Sequence, residues 1–315
     1  MRRSEALGTG SGAIGLIIAS VLWGTTGTAA SFLPDGVSPL ATGAATMAIG
    51  GTLLLLVSVR GAVRALRDPG ARGWIALGAI GVFVYPLAFY SAMDLAGVAI
   101  GNVVALGSGP LFAAILEWAI ERRRPSRRWG AATAIAVAGI VILPLGADQA
   151  DAGRVDLISG VMLGLLAGAA YAQYTYASSR AIATGHRGRS IMGAMFGLGA
   201  VLLTPVLLAT GTPLLQSGGT ITITAYLALG PMFVAYLFFG AALRVLRSST
   251  ATTITLLEPV VATVLAVAVV GERLTPLGWF GIALILTGVA VIATAKREAA
   301  GPRTSPRAAS VDWHT

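Results

Sequence analysis

Residues 257–292 read LEPVVATVLAVAVVGERLTPLGWFGIALILTGVAVI, and residues 110–143 read PLFAAILEWAIERRRPSRRWGAATAIAVAGIVIL. Both run from a proline through an apolar stretch to a Glu-Arg pair, a short polar connection and a second apolar stretch. Pro110 corresponds to Pro259, Glu121-Arg122 to Glu272-Arg273, and Gly130 to Gly281, at shifts of 149 to 151 residues. Further upstream, Trp23-Gly24 corresponds to Tyr171-Ala172 at a shift of 148. Four landmarks in one order at nearly one spacing mark an internal repeat of about 150 residues, so a chain of 315 holds two copies.

Each copy divides into apolar runs of the length a bilayer requires, about 20 residues at a rise of about 1.5 Å. Ten spans are expected, near residues 13–33, 39–59, 73–93, 97–120, 129–146, 157–179, 190–210, 221–243, 249–270 and 276–295. The third-to-fourth and eighth-to-ninth connections are short enough to make those pairs antiparallel hairpins. Composition agrees: 56% of residues are hydrophobic, only 11% are charged, and mean hydropathy is +0.81. A water-facing surface needs about a quarter charged residues. Glycine, at 41 residues, suits helices that pack closely in lipid.

The net charge of +9 first suggests a nucleic-acid partner, but the placement of the basic residues argues for topology instead. With both termini inside, twenty of the 22 basic residues fall on the inner side, clustered around Arg2, Arg64, Arg124, Arg187, Arg244 and Lys296. Only Arg154 and Arg273 fall outside, where Asp148, Asp151 and Asp156 make one loop acidic. A cleaved signal peptide is the rival reading of the first span, whose apolar run is too long for one. Five spans per copy is an odd number, so the second copy enters the membrane opposite to the first. Inverted repeats place a binding site near the bilayer midplane between the halves, and rocking alternates access to it.

Several chemistries are excluded. No cysteine is present, so there is no disulfide or thiolate site, and two histidines, His186 and His314, leave little for a metal or a catalytic triad. No Walker loop, dinucleotide fingerprint, zincin motif or nucleophile elbow occurs. No catalytic residue, metal or cofactor is expected.

The opening LIIASVLWGTTGTAA at 16–30, together with the two stretches quoted above, resembles both copies of the EamA repeat of the drug/metabolite transporter superfamily, over nearly the whole chain. The opening and the general layout are similar to YddG-type amino-acid exporters. The resemblance implies an all-α integral membrane protein: residues 1–150 as the first five-helix repeat, 151–295 as the second and inverted one, and 296–315 as a cytoplasmic tail expected to be disordered. The five-arginine connection after Glu121 departs from the family pattern, which bears on anchoring more than on mechanism.

Glu258 is the one charged residue near the middle of a span, and such residues face a cavity or a partner because burial in lipid is costly. It either binds a substrate or satisfies backbone groups freed by Pro259; its counterpart in the first copy is Gly109. Pro110 and Pro259 each remove a helical hydrogen bond, and with Gly109 they are candidate hinges or static bends. Aromatics lie deep in the spans: Trp23, Tyr85, Phe89, Tyr90, Tyr171, Tyr174, Tyr176, Tyr236 and Phe239. The expected substrate-binding set is Glu258, Trp23, Tyr85, Tyr90, Asn102, Tyr171, Tyr174, Tyr236 and Thr255. Interhelical packing is the competing use of each polar or aromatic member. Gly160, Gly164 and Gly168 form a small-residue stripe for packing within or between chains, which leaves a homo-oligomer open.

A carboxylate among aromatics suits an ammonium group by charge and by cation–π attraction. The sequence thus points to a secondary exporter of small metabolites, amino acids first, in a bacterial-type inner membrane. A cationic-drug exporter fits the same residues, and a membrane sensor or scaffold is the reading of another class. The expected partners are a small-molecule substrate and the lipid bilayer, with no nucleic acid.

Overall fold

The computed structural model describes residues 2–122, 127–142, 145, 154–242, 254–255 and 257–294. The topology markers Arg124, Asp148, Asp151 and Arg244, and the tail from Lys296, lie outside them. The described chain is nearly all helical. Its elements are α1 (Arg2–Gly24), α2 (Thr26–Ala30), α3 (Pro39–Leu56), α4 (Val59–Arg67), α5 (Pro69–Ala96), α6 (Val98–Glu121), α7 (Arg127–Ile142), α8 (Arg154–Ile182) and α9 (Gly188–Thr210). After them come α10 (Gly218–Leu227), a π-helical stretch Ala228–Val234, α11 (Ala235–Ala242), α12 (Leu257–Leu265), a second π-helical stretch Ala266–Val270, and α13 (Pro276–Thr294).

Seven of these helical segments are long and apolar enough to cross a bilayer, and three shorter apolar helices span 130–142, 257–270 and 276–291. Large apolar side chains stand exposed on the outside of the bundle, Val201 at 65% and Leu208 at 76%. Lipid tails solvate such a surface where water could not, so the chain is an integral, multi-pass membrane protein.

Helix starts follow local chemistry. The Ser38 hydroxyl accepts from the Ala41 amide at 3.2 Å with Pro39 in the first turn, and Asp68 accepts from the Gly70 amide at 2.9 Å with Pro69 likewise placed. The Gly70 amide and, next, the His186 side chain hold the Asp68 carboxyl below the usual carboxylate range. His186 Nε2 lies 2.8 Å from Asp68 Oδ2, which joins the connection before α5 to the one before α9. The arginine-bearing connection between the second and third spans is not a loop: it forms α4, with Ala62 and Ala65 buried and Arg60, Arg64 and Arg67 partly or fully exposed. Arginines three and four residues apart share the polar face of an amphipathic helix there, the arrangement suited to a membrane surface.

Close packing is set by glycine. α8 runs along α5 and α6, α3 along α9, and α7 along α13, so every one of these pairs joins a helix before residue 150 to one after it. On α8 a Cβ at Gly160 would fall 2.6 Å from the Ala96 Cβ, and one at Gly168 would fall 2.0 Å from Ser108 Oγ and 2.8 Å from the Ala105 carbonyl. The small-residue stripe therefore serves packing within the chain. On the other side of the molecule from the Asp68–His186 contact, 28 residues along α5, Gly97 turns the chain into α6 with φ +87°. Glu272, from the connection before α13, accepts there from the amides of Val98 and Ala99, the latter at 2.9 Å. Burial raises the Glu272 carboxyl above its ordinary range, against the lowering pull of these two amides.

Gly168→Ala is expected to destabilise the protein by about 1–3 kcal/mol through overpacking against the α6 backbone. Gly240→Ala, where a Cβ meets nothing within 4 Å, is expected to be neutral. Thermal unfolding of the two variants in detergent measures the contrast.

Candidate functional site

Helices from both ends of the sequence bring the deep aromatics into one chain of ring contacts. Trp23 of α1 meets Tyr236 of α11 edge-on at 5.3 Å and Phe239 at 5.6 Å. Tyr236 meets Phe196 of α9 at 5.1 Å, and Phe196 meets Tyr174 of α8 at 5.6 Å. Tyr174 meets Tyr171 at 5.2 Å and Tyr85 of α5 at 5.9 Å, and Tyr85 stacks on Phe89 at 5.3 Å. Edge-to-face and offset contacts of this kind fix ring orientation as well as burying area.

The polar ends of the rings find partners. The Trp23 indole N–H donates to the Pro231 carbonyl at 2.8 Å, within the first π-helical stretch. The Tyr174 and Tyr236 hydroxyls are 3.4 Å apart, and the Tyr90 hydroxyl is 3.3 Å from Thr46 Oγ1. Proline has no N–H and clashes with the preceding turn, which a π-type widening accommodates; such widenings recur at functional sites.

Glu258 joins this assembly from the first turn of α12. Its carboxyl lies within electrostatic reach of the Tyr85, Tyr171 and Tyr236 hydroxyls. The backbone of α1 presses against it from the other side: a Cβ at Gly24 would fall 2.7 Å from Val261 and 2.9 Å from the Glu258 carbonyl. Glu258, Trp23, Tyr85, Tyr171 and Tyr236 all stay half-buried although helices surround them, whereas Tyr174 and Phe196 are buried.

The remaining expected residues distribute unevenly. Tyr90 ends the ring chain beyond Phe89. Thr255 is half-buried, three residues before Glu258 on the same strand of sequence. Asn102 is fully buried in α6, outside the ring chain, and neither Nδ2 nor Oδ1 has a hydrogen-bond partner among the described residues. Tyr176 belongs elsewhere: it packs on Trp74 at 6.1 Å and donates to Glu121 at 3.3 Å, beside Arg180, whose guanidinium sits 5.4 Å over the Trp74 ring. Of the hinge candidates, Pro110 lies inside α6, and Gly109 is where the Tyr171 ring approaches, 2.9 Å from any added Cβ. Pro259 lies in α12, a few residues after the helical residues 254–255. Two π-helical stretches also lie in this part of the chain, around Pro231 and at Ala266–Val270.

Phe196 is the residue the sequence reading passed over. Its signal was present, a single aromatic in the glycine-rich run GAMFGLG at 193–199, where the glycines let neighbouring helices close around it.

A half-buried carboxyl within electrostatic reach of a chain of contacting aromatic rings lies inside this bundle of apolar helices. The chain belongs to the EamA-like transporter family, which matches residues 10–144 and again 158–294. It is 35% identical over 287 residues to the uncharacterized transporter YwfM of Bacillus subtilis (strain 168), covering 90% of this chain and 94% of that protein. An uncharacterized transporter of Clostridium kluyveri is 30% identical over 159 residues, 49% of this chain and 50% of the other. A solved crystal structure superposes with a TM-score of 0.62 at 23% identity, covering 90% of this chain and 96% of that one, a likeness of fold.

Because Phe196 is fully buried and bridges Tyr174 to Tyr236, Phe196→Ala is expected to cost about 3–5 kcal/mol of stability. Phe238→Ala, at a ring 37% exposed, is expected to cost far less. Intrinsic-fluorescence melts of the two variants compare them.

Proposed function

We propose that this transporter is a secondary exporter of small metabolites, amino acids with apolar or aromatic side chains first, working by alternating access. The observation that carries the reading is the make-up of the Glu258 site: Trp23 and Tyr85 come from the first half of the sequence, and Tyr171, Tyr236 and Glu258 from the second. Any motion of one half against the other reshapes such a site, as a carrier requires. The carboxylate attracts an ammonium group, the tyrosine and tryptophan faces add cation–π attraction, and the same rings accept an apolar side chain.

The wider architecture belongs to this proposal. Ten spans in two inverted halves are supported by the seven long and three shorter apolar helices and by the doubled family match. In this reading residues 1–150 and 151–295 are the repeats, both termini are cytoplasmic, and the membrane is the bacterial inner one. Trp23, Tyr85, Tyr90, Tyr171, Tyr174, Tyr236, Asn102, Thr255 and Glu258 contact substrate at some stage of the cycle. Pro110 and Gly109, with Pro259, set the bend of the helices that carry it.

Flux of labelled amino acids into proteoliposomes tests the substrate class, and Glu258→Gln tests the site. Loss of the charge at constant shape is expected to weaken substrate by roughly 10- to 150-fold, the worth of one charge-assisted hydrogen bond. Wild-type affinity and flux in Glu258→Gln would reduce the residue to a cap on the turn at Pro259. Transport of organic cations but no amino acid would favour the drug-exporter reading.

Orientation is tested in the naturally cysteine-free chain. Single cysteines at the exposed positions Gly36 and Gln216 are expected to react with an impermeant thiol reagent on intact cells, and those at Arg64 and Ala183 only after lysis. The reverse pattern contradicts the proposed topology.

A further inference from the structure

The first turn of α6 is capped from far away. Its N-cap residue, Gly97, has no side chain to offer, and the amides of Val98 and Ala99 donate instead to the two carboxylate oxygens of Glu272, more than 170 residues along the chain. Helix-starting amides need an acceptor, and a carboxylate is the strongest one available to them. Gly97 makes room for it: a Cβ there would fall 3.1 Å from Glu272 Oε1. Glu272 is itself held in place, its own amide donating to the Ala266 carbonyl at 3.0 Å across the αL residue Gly271. One carboxylate thus ties an element of the first sequence half to one of the second, at the side of the molecule away from the Asp68–His186 contact.

Directly behind this tie the polar bookkeeping fails. Asn102 is one helical turn below Val98, is 0% exposed, and has both side-chain polar atoms unpartnered among the described residues. Thr28 of α2 is buried too, and its Oγ1 is likewise unpartnered. The same short helix closes over the spot, since a Cβ at Gly27 would fall 2.4 Å from the Val98 side chain and 2.8 Å from the Met93 sulfur. Burying such groups without partners costs free energy, and native folds leave few of them. Two such groups beside a contact that one side chain makes between the two halves fit a conformation in which that contact opens and water or substrate reaches them.

We propose that Glu272 is the latch of a gate formed by α2 and the first turn of α6, and that its release exposes Asn102 and Thr28 to the transport path. By the repeat shift the counterpart of Glu272 is Glu121, which also reaches the other sequence half, through Tyr176 at 3.3 Å and Arg180 at 3.8 Å, at the opposite end of α6. A carboxylate at each end of one helix gives each membrane face its own fastening between halves. Glu272 is a positioning residue in this scheme and touches no substrate. The inference rests on the alternating-access reading but not on the substrate or on Glu258, so its test is run without substrate.

A cysteine replaces Asn102 in the otherwise cysteine-free chain, and its reaction rate with a small water-soluble maleimide is measured in proteoliposomes. Labelling is expected to be slow with the latch intact and to rise about tenfold or more with Glu272→Gln, the size of shift that loss of one charge-assisted hydrogen bond gives a two-state equilibrium. Val98→Pro provides a second route that leaves Glu272 alone: proline deletes the donated N–H yet fits the first position of a helix. It is expected to raise labelling in the same direction. Ser108→Cys, buried two turns further along α6, reports general loosening and is expected to stay unreactive in both backgrounds. An unchanged Asn102→Cys rate in a folded Glu272→Gln or Val98→Pro protein overturns the proposal, as does an equal rise at Ser108→Cys.

Discussion

Lipid offers no hydrogen bonds to a backbone, and that constraint shapes every part of this protein. Helices answer it by satisfying their own N–H and C=O groups, which is why nearly all the described chain is helical. Without a hydrophobic force between helices in lipid, their association depends on close approach, and glycine supplies it at Gly160 and Gly168 on α8 and at Gly24 on α1. The places where the backbone departs from regular helix are then the informative ones. Pro231 sits in a widened turn whose carbonyl is taken by Trp23, and the start of α6 is completed by Glu272. At both places the partner is a side chain from the other half of the sequence.

The Glu258 site follows the same logic. A carboxyl in a bundle of apolar helices is costly unless it faces a cavity or a partner, and Glu258 is half-buried within electrostatic reach of Tyr85, Tyr171 and Tyr236. The rings are locked to one another through Phe196 and Tyr174, which leaves the half-buried faces of Trp23, Tyr85, Tyr171 and Tyr236 presented in fixed orientations. In the proposed function, such preorganised aromatic faces near an acidic group lower the ordering cost of binding a small amphipathic cation or zwitterion.

Much of this was legible in the sequence because the signals were physical and strong. Apolar length placed helices such as α5 and α8 within a few residues of their observed limits, and Glu258 stood out as the one charged residue near the middle of a span. What the sequence hid were contacts between distant elements. Tyr176 looked like its neighbours Tyr171 and Tyr174, and only the packing of α5, α6 and α8 assigns it to Trp74, Glu121 and Arg180. Glu272 showed as a repeat landmark, but its role at the start of α6 depends on a loop meeting a helix 170 residues away. The amphipathic α4 was hidden by its brevity, and the π-helical stretches by the fact that proline alone does not say how a helix will accommodate it.

The central claim is that the Glu258 site recognises an ammonium group held among aromatic rings. Equilibrium binding of an aromatic amino acid to the purified protein, set against its deaminated acid and its decarboxylated amine, tests that most directly. The account predicts that the amino acid and the amine compete for one site and that the acid lacking nitrogen binds at least tenfold more weakly, the worth of one charge-assisted contact. Equal binding of the deaminated acid would contradict it.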